Sequence, residues 1–214
     1  MTAVIGRGVR VEVAATYSAA KTVTAITQAS PGVATSAAHG LTDGTVGYLS
    51  GISGMVQLEG MAVRVDAPAT NTINLESLDT SAFSAFSGTC SLTPVATWQT
   101  LGIATSYSIG GGEAEKLDNT TLLDDVKQEL NGQLASQSVS INVNAETFNS
   151  AAMALIEAAA RAANSLVFRI TLKDGSVRVF RGEPSLPGED VQKGAIGTGS
   201  FSVSVKGFVI KTPA

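Results

Sequence analysis

The side chains best suited to nucleophilic or metal chemistry near neutral pH are one histidine, His39, and one cysteine, Cys90. A Cys–His couple needs thiolate and imidazole within hydrogen-bond reach, and these two stand about fifty residues apart in the chain. Thr89 and Ser91 flank Cys90 and suit a strand, where a small thiol reads as buried packing. His39 lies in Ala38-His39-Gly40-Leu41-Thr42-Asp43-Gly44, a context for a turn-stabilising ring. A zinc site needs three or four converging ligands, which one His and one Cys do not supply. Gly110-Gly111-Gly112 lacks the Lys-Ser/Thr and the helix of a phosphate loop and reads as a hinge. Gly194 to Gly199 reads as a loop in the same way. No catalytic residue, metal ligand or cofactor-binding residue is assigned, and a hydrolase built on His39 and Cys90 is the weakest of the alternatives.

The polar segment with most to say is Glu113 to Glu129. It sets Glu113, Glu115, Asp118, Asp124, Asp125 and Glu129 against Lys116 and Lys127. A solvated loop would explain the charge. It would not call for Leu117, Leu122 and Leu123. Long segments between strands are usually functional or disordered, so this one is expected to order against a partner.

Elements must position such a segment. The first half is punctuated by Gly, Ser, Thr and Pro, with β-prone runs at Thr22 to Thr27, Val33 to Ser36, Val46 to Ser50, Met61 to Val65 and Thr72 to Leu75. Ser30-Pro31-Gly32 and Asp43-Gly44 are turns, each expected to use a positive φ at its glycine. Arg64 and Asp66 are expected to face solvent, and Phe83 and Phe86 to close the module's core. Longer strands follow: Leu101 to Ile109, Gln137 to Asn144, Leu166 to Leu172, Ser176 to Arg181 and Gly199 to Ile210. Ser138 to Asn144 and Phe201 to Lys206 alternate strictly, so each has one wet or partner-facing side. Lys173-Asp174-Gly175 is a hairpin turn. One helix is clear, capped by Asn149 or Ser150, with an apolar stripe of Ala152, Leu155, Ile156, Ala159 and Ala163 and a Glu157–Arg161 pair opposite. The N-terminal strand, Arg7 to Ala14, is expected to pair with the second half, which makes the small module an insertion. The expected division is a discontinuous β domain of residues 1–21 and 95–214 and an inserted all-β module of residues 22–94. The fold class is mainly β, a sandwich or barrel with one helix.

The chain has 214 residues, 44% hydrophobic but only 15% charged and 5% aromatic, with mean hydropathy +0.23. Globular domains usually carry about 25% charged residues. A surface this poor in charge suits a subunit that buries itself against neighbours. The net charge of −4 argues against binding DNA by phosphate neutralisation. One cysteine implies no oxidising compartment, and neither a signal peptide nor a membrane span is read.

Two stretches resemble known families. Gln28 to Thr35, His39-Gly40-Leu41-Thr42-Asp43-Gly44, Ser50-Gly51-Ile52-Ser53-Gly54-Met55 and Leu58-Glu59-Gly60 together resemble a small β module of phage structural proteins. That module is itself similar to a non-catalytic (FCCH-like) β domain of ubiquitin-activating enzymes, and the likeness implies no ubiquitin chemistry. The pattern has Asn where Glu59 stands. The rest of the chain, with its glycine-ended strand, the Leu117-Asp118-Asn119-Thr120-Thr121 segment, Gly132, the helix and the final Val205-Lys206-Gly207, resembles the major tail tube proteins of phages with long non-contractile tails.

That resemblance implies a structural virion protein, not an enzyme. It implies homo-hexameric stacked rings, assembled in the host cytoplasm with tape measure, terminator and baseplate proteins, around a lumen that DNA crosses without specific binding and with no membrane involved. It implies an inter-ring stacking loop carried by Glu113, Glu115, Leu117, Asp118, Thr120, Thr121, Leu122, Asp124 and Asp125. It also implies a subunit-bridging arm through Ile5, Arg7 and Val9. The acidic balance of the chain suggests a lumen that repels phosphates. A tail terminator or baseplate ring protein, and a carbohydrate- or host-surface-binding β protein, stand as alternatives.

Overall fold

The computed structural model describes residues 9–102, 104–121, 125–144 and 149–213. In chain order, the first strands are β1 (Arg10–Tyr17), β2 (Lys21–Val23), β3 (Ala25–Ile26), β4 (Val33–Thr35), β5 (Val46–Ser50), β6 (Ala62–Asp66) and β7 (Thr72–Leu75). Then come β8 (Cys90–Thr100), β9 (Ala104–Gly111), β10 (Ala114–Asp118), β11 (Glu129–Leu134) and β12 (Gln137–Asn144). After helix α1 (Ala151–Arg161) follow β13 (Leu166–Thr171), β14 (Val177–Pro184), β15 (Gly188–Asp190), β16 (Thr198–Val205) and β17 (Ile210–Thr212). The protein is mainly β with one α-helix, as expected. One long curled sheet runs β3-β4-β7-β6-β5-β8-β1-β13-β14-β16-β12-β9, and β10 and β11 pair only with each other.

The main core explains how the sheet folds over. Val139, Ile141 and Val143 of β12 meet Phe201 and Val203 of β16 on one side. Val11 and Val13 of β1, Phe168 and Ile170 of β13 and Phe180 of β14 supply the other. Phe168 and Phe180 stack at 5.3 Å and 11°, worth about 0.5–1.5 kcal/mol beyond the area they bury. Gly182 makes the corner, pairing with Leu166 of β13 and also with Val205 of β16. A Cβ there would lie 2.3 Å from the Ser204 carbonyl oxygen, so only glycine lets the two ladders meet.

The helix closes one side of this core with Ala152, Met153, Ile156 and Ala159. Ser150 is its N-cap, accepting from the Met153 N–H at 3.2 Å, and Arg161 pairs with Glu157 at 3.2 Å. The expected stripe shifts slightly. Met153 is buried, Leu155 is half-buried and Ala163 lies past the helix end, exposed.

A second core gathers Leu49, Met55, Leu58, Met61, Ile73 and Leu75, among others, with Phe83 and Phe86 half-buried against it. β8 serves both cores. Its first residues pair with β5 and β2, up to Gly47 opposite Pro94, and from Val95 onward it pairs with β1. A third, smaller cluster sits where the first-half strands lean on the main sheet: Val46 and Ala62 against Ala14, Val167, Val177 and Val179. Arg181 lies over the Tyr48 ring at 4.2 Å and donates to the Gly60 carbonyl at 3.2 Å, tying the same junction.

Several local expectations change. Gly32 does not need a positive φ. It is glycine because a Cβ would fall 2.7 Å from Thr80 Oγ1. Gly44 does take the left-handed conformation, at φ +75. Arg64 is not solvated but half-buried and ion-paired with Glu76. The strand expected from Leu101 starts later, because buried Leu101 and exposed Gly102 lie at a turn before β9. Glu59 explains its own departure from the Asn pattern: its carboxylate accepts from the backbone N–H groups of Gly51 and Ile52 at 3.2 and 2.8 Å.

Candidate functional site

His39 and Cys90 behave as structural residues. The His39 Nδ1 accepts from the Leu41 N–H at 3.0 Å, so Nε2 carries the proton and donates to the Ala69 carbonyl at 2.7 Å. Both ring nitrogens are spent on the backbone. Cys90 is buried, and burial, with the Glu59 carboxylate adding to it, pushes its thiol up to about 11. The thiolate is the reactive form, so at pH 8 the native protein holds about 100-fold less of it than a thiol titrating near 9. Native Cys90 is expected to alkylate at least that much more slowly than Cys90 in urea, as timed by mass spectrometry. Equal rates would show the thiol to be open. Among the described residues no group of His, Cys, Asp and Glu could hold a metal.

The acidic segment is not a loop throughout. Its first part is strand β10 and its last residue, Glu129, opens β11; the two strands form a ribbon that prolongs β9 and β12 beyond the sheet. Gln137 pairs with Gly111, the Ala135 N–H donates to the Glu113 carbonyl at 2.8 Å, and Ala114 pairs with Leu134. Of the glycines expected to hinge this root, Gly110 and Gly111 are instead held in the β9–β12 ladder, while Gly112 lies between β9 and β10. Gly111 takes φ +79, and a Cβ on it would meet the Ser136 carbonyl oxygen at 2.4 Å. The five residues of β10 extend about 16 Å, so the ribbon projects from the end of the sheet.

Its residues divide by face. Leu117 lies directly across from Leu130, and the two are 48% and 56% exposed. Leu134 at the root is 53% exposed and Val126 near the tip 71%. Lys116 reaches Asn131 at 2.6 Å and Lys127 reaches Glu129 at 3.0 Å. Asp118 accepts from the Thr120 N–H at 2.9 Å, and Thr120's side-chain and backbone hydrogen bonds hold its carboxyl below the usual range. Thr120 Oγ1 in turn accepts from the Gln128 N–H at 3.0 Å. Asp118 and Thr120 therefore shape the turn, while the leucines present apolar surface. Glu113, Glu115, Thr121 and Asp125 are exposed, and Leu122 and Asp124 lie outside the described residues. Of the expected arm, Val9 packs half-buried against the chain's own main core, and Ile5 and Arg7 lie outside the described residues.

Sequence reasoning missed Leu130, Leu134 and Val126. Leu130 and Leu134 lie beyond the acidic segment Glu113 to Glu129, and only the cross-strand register makes Leu130 the partner of Leu117. It also missed the edge beside the ribbon. β9 ends the strand order, and among the described residues no strand pairs with its outer side. Exposed edges are usually blunted by charge, proline or a bulge. Ala104 to Gly111 contains neither a charged residue nor a proline, and its register against β12 slips once, at Thr105 near its start.

One more surface belongs with these. On β12, Ser138, Ser140, Asn142 and Asn144 alternate with the core valines and isoleucine. Across the ladder they face Ser204, Ser202, Ser200 and Thr198 of β16. On the other side Gly110, Ser108 and Ser106 of β9 continue the rows, and Asn142 Nδ2 donates to Ser106 Oγ at 2.8 Å. No described helix is long and apolar enough to cross a membrane. No curated protein matches the chain. Residues 53–208 match the family model described as phage tail tube protein.

Proposed function

The chain belongs to the phage tail tube protein family, and from that premise we propose that it closes into stacked, six-membered rings forming the tube of a long non-contractile tail. The family is a structural one of the virion tail, not an enzyme class. The observation that carries the reading is the open outer edge of β9, free of charge and proline and irregular only at its start near Thr105, whose free N–H and C=O groups a neighbouring copy's strand would satisfy. Such a contact joins different faces of successive copies, and rotation closes it into a ring.

The β10–β11 ribbon is then the element that reaches the adjacent ring, with Leu117 and Leu130 as its apolar contact and Asp118 and Thr120 holding its turn. Glu113, Glu115, Thr121, Leu122, Asp124 and Asp125 flank that contact, and the arm through Ile5, Arg7 and Val9 bridges copies at the other end of the chain. Residues 22–94 form an outward-facing module inserted into a tube domain of residues 1–21 and 95–214. Support for this comes from the module's own core, which takes only Ile210 from outside residues 22–94, and from the change of partners along β8. Its order of turns is what likens it to the FCCH-like domain. The other partners are the tape measure, terminator and baseplate proteins, and DNA passes through on ejection.

Negative-stain electron microscopy of the purified protein, concentrated stepwise and with a tail initiator complex added, tests this. Hollow tubes with a regular repeat are expected. Isolated rings would point to a terminator or baseplate role, and monomers that persist beside the initiator would overturn the reading.

A further inference from the structure

We propose that the tip of the β15–β16 hairpin, with Val191 and Ile196 on either side of a tight turn, is the seat that receives the β10–β11 ribbon of a second copy in the adjacent ring. This rests on the tube reading above and adds to it the surface on which the ribbon lands.

Apolar exposure marks out the two surfaces. Among the described residues nine large hydrophobic side chains are exposed. Four stand on the ribbon and its turn. Three more, Leu186, Val191 and Ile196, stand just before β15 and in the turn that follows it. Ile196, Val126 and Val191 are the most exposed of all, at 76%, 71% and 67%. Single apolar side chains scattered over a surface are ordinary, but these fall into two groups.

Register puts the two groups at opposite ends of one layer. β12 pairs with β9 from Gln137 opposite Gly111, where the ribbon leaves, to Val143 opposite Ala104. It pairs with β16 from Ser138 opposite Ser204 to Asn144 opposite Thr198. Thr198 in turn pairs with Asp190, the last residue of β15. Residues 191–197 therefore close a hairpin at the end away from the ribbon. Its turn is built, not loose. The Ala195 N–H donates to the Gln192 carbonyl at 3.2 Å, and Gly194 takes φ +81, as the third residue of such a turn requires.

Charge and symmetry then choose the partner. The ribbon sets Glu113, Glu115, Asp118, Asp125 and Glu129 against Lys116 and Lys127. Two ribbons meeting tip to tip would bring like charges together. The hairpin instead offers Lys193, exposed at the crest of its turn. Its own acids, Glu189 and Asp190, stand behind the crest in β15, and Asp190 accepts from Gln192 at 3.1 Å. A ribbon-to-ribbon contact is also isologous, so it would end after two rings. A ribbon-to-hairpin contact joins unlike ends. Each added ring then leaves one set of ribbons and one set of hairpins free, and growth continues.

The test carries Val126→Cys and Ile196→Cys in one chain, with each single variant as control and the buried Cys90 left in place. Within a chain the two positions are separated by the lengths of β12 and β10, roughly 40 Å, which no short cross-linker spans. Tubes treated with a short bis-maleimide and then denatured are expected to give a ladder of covalent multimers from the double variant and none from either single one. Dimers from Val126→Cys alone would put ribbon against ribbon and overturn the proposal. A second measurement does not depend on cross-linking geometry. Val191→Ser with Ile196→Ser should raise the concentration needed for tubes by about tenfold or more at an unchanged urea midpoint. Adding Leu117→Ser and Leu130→Ser should then raise it by less than about threefold further, since both pairs remove one contact. Effects that multiply in full would place the ribbon on some other surface and overturn the proposal, while leaving the tube itself standing. Failure of the unmodified chain to form tubes beside the initiator would instead remove the underlying reading.

Discussion

Subunits lacking residues 114–134, with Glu113 joined to Ala135 through a short Gly-Ser turn, are expected to fold normally and to form no tubes. The ribbon pairs only with itself and contributes no residue to any of the three buried clusters. A two-stranded hairpin alone is marginally stable in water, so its removal takes little from the body. The urea midpoint should therefore stay where it is. Stacking is another matter. Leu117, Leu130, Leu134 and Val126 are all close to half exposed or more, and burying a leucine against a neighbour is worth about 1.5–3 kcal/mol each. The milder pair Leu117→Ser with Leu130→Ser should raise the concentration needed for tubes by at least tenfold, read by light scattering. Tubes from the deletion variant would sink the stacking assignment, and so would loss of its β signal in circular dichroism.

The largest expected change in stability comes from Arg169→Met. Glu12 is only 4% exposed, and Arg169 binds its Oε2 through Nε and Nη2 at 2.8 and 2.7 Å. The guanidinium also lies 4.3 Å over the Trp98 ring. Removing the arginine leaves a buried carboxylate whose other partner, Arg10, is 3.6 Å away with a side chain 65% exposed. Breaking a buried pair from one side costs about 3–5 kcal/mol. Glu12→Gln should cost less, since the amide oxygen still accepts a hydrogen bond and the arginine keeps its stacking and its access to water. Urea unfolding of the two variants decides the matter. A smaller loss for Arg169→Met than for Glu12→Gln would mean the pair behaves as a surface contact.

These two sites differ in how far the sequence exposes them. The strand from Gln137 to Asn144 was readable to the residue, because one side faces valines and isoleucine in the core and the other faces serines, and that contrast prints a period of two. The helix cap at Ser150 and the turn at Asp174-Gly175 were readable because each depends on neighbours within a few positions. β10 and β11 were not. Both faces of a projecting ribbon are wet, so Glu129 to Leu134 carries no alternation to mark it as a strand. The Glu12–Arg169 pair joins positions 157 residues apart, and no local pattern announces that an alternating strand has buried its charged side. β8 hid its double role for the opposite reason. Its alternation holds from Cys90 to Val95 and lapses at Ala96 and Thr97, just where the partner changes, so the sequence suggests a break where the backbone runs on.

That continuity of β8 has a mechanical meaning. The strand is hydrogen-bonded to β5 at its start and to β1 at its end. A pull on the first-half surface, such as a virion straining against something it has touched, loads β8 along its own axis. Its ladder hydrogen bonds then resist in shear, many together, instead of unzipping one after another from an end. A tether of loose chain at the same junction would stretch under that load. The shared strand transmits it directly into the β1–β13 ladder, so the first-half strands and the main sheet move as one stiff body.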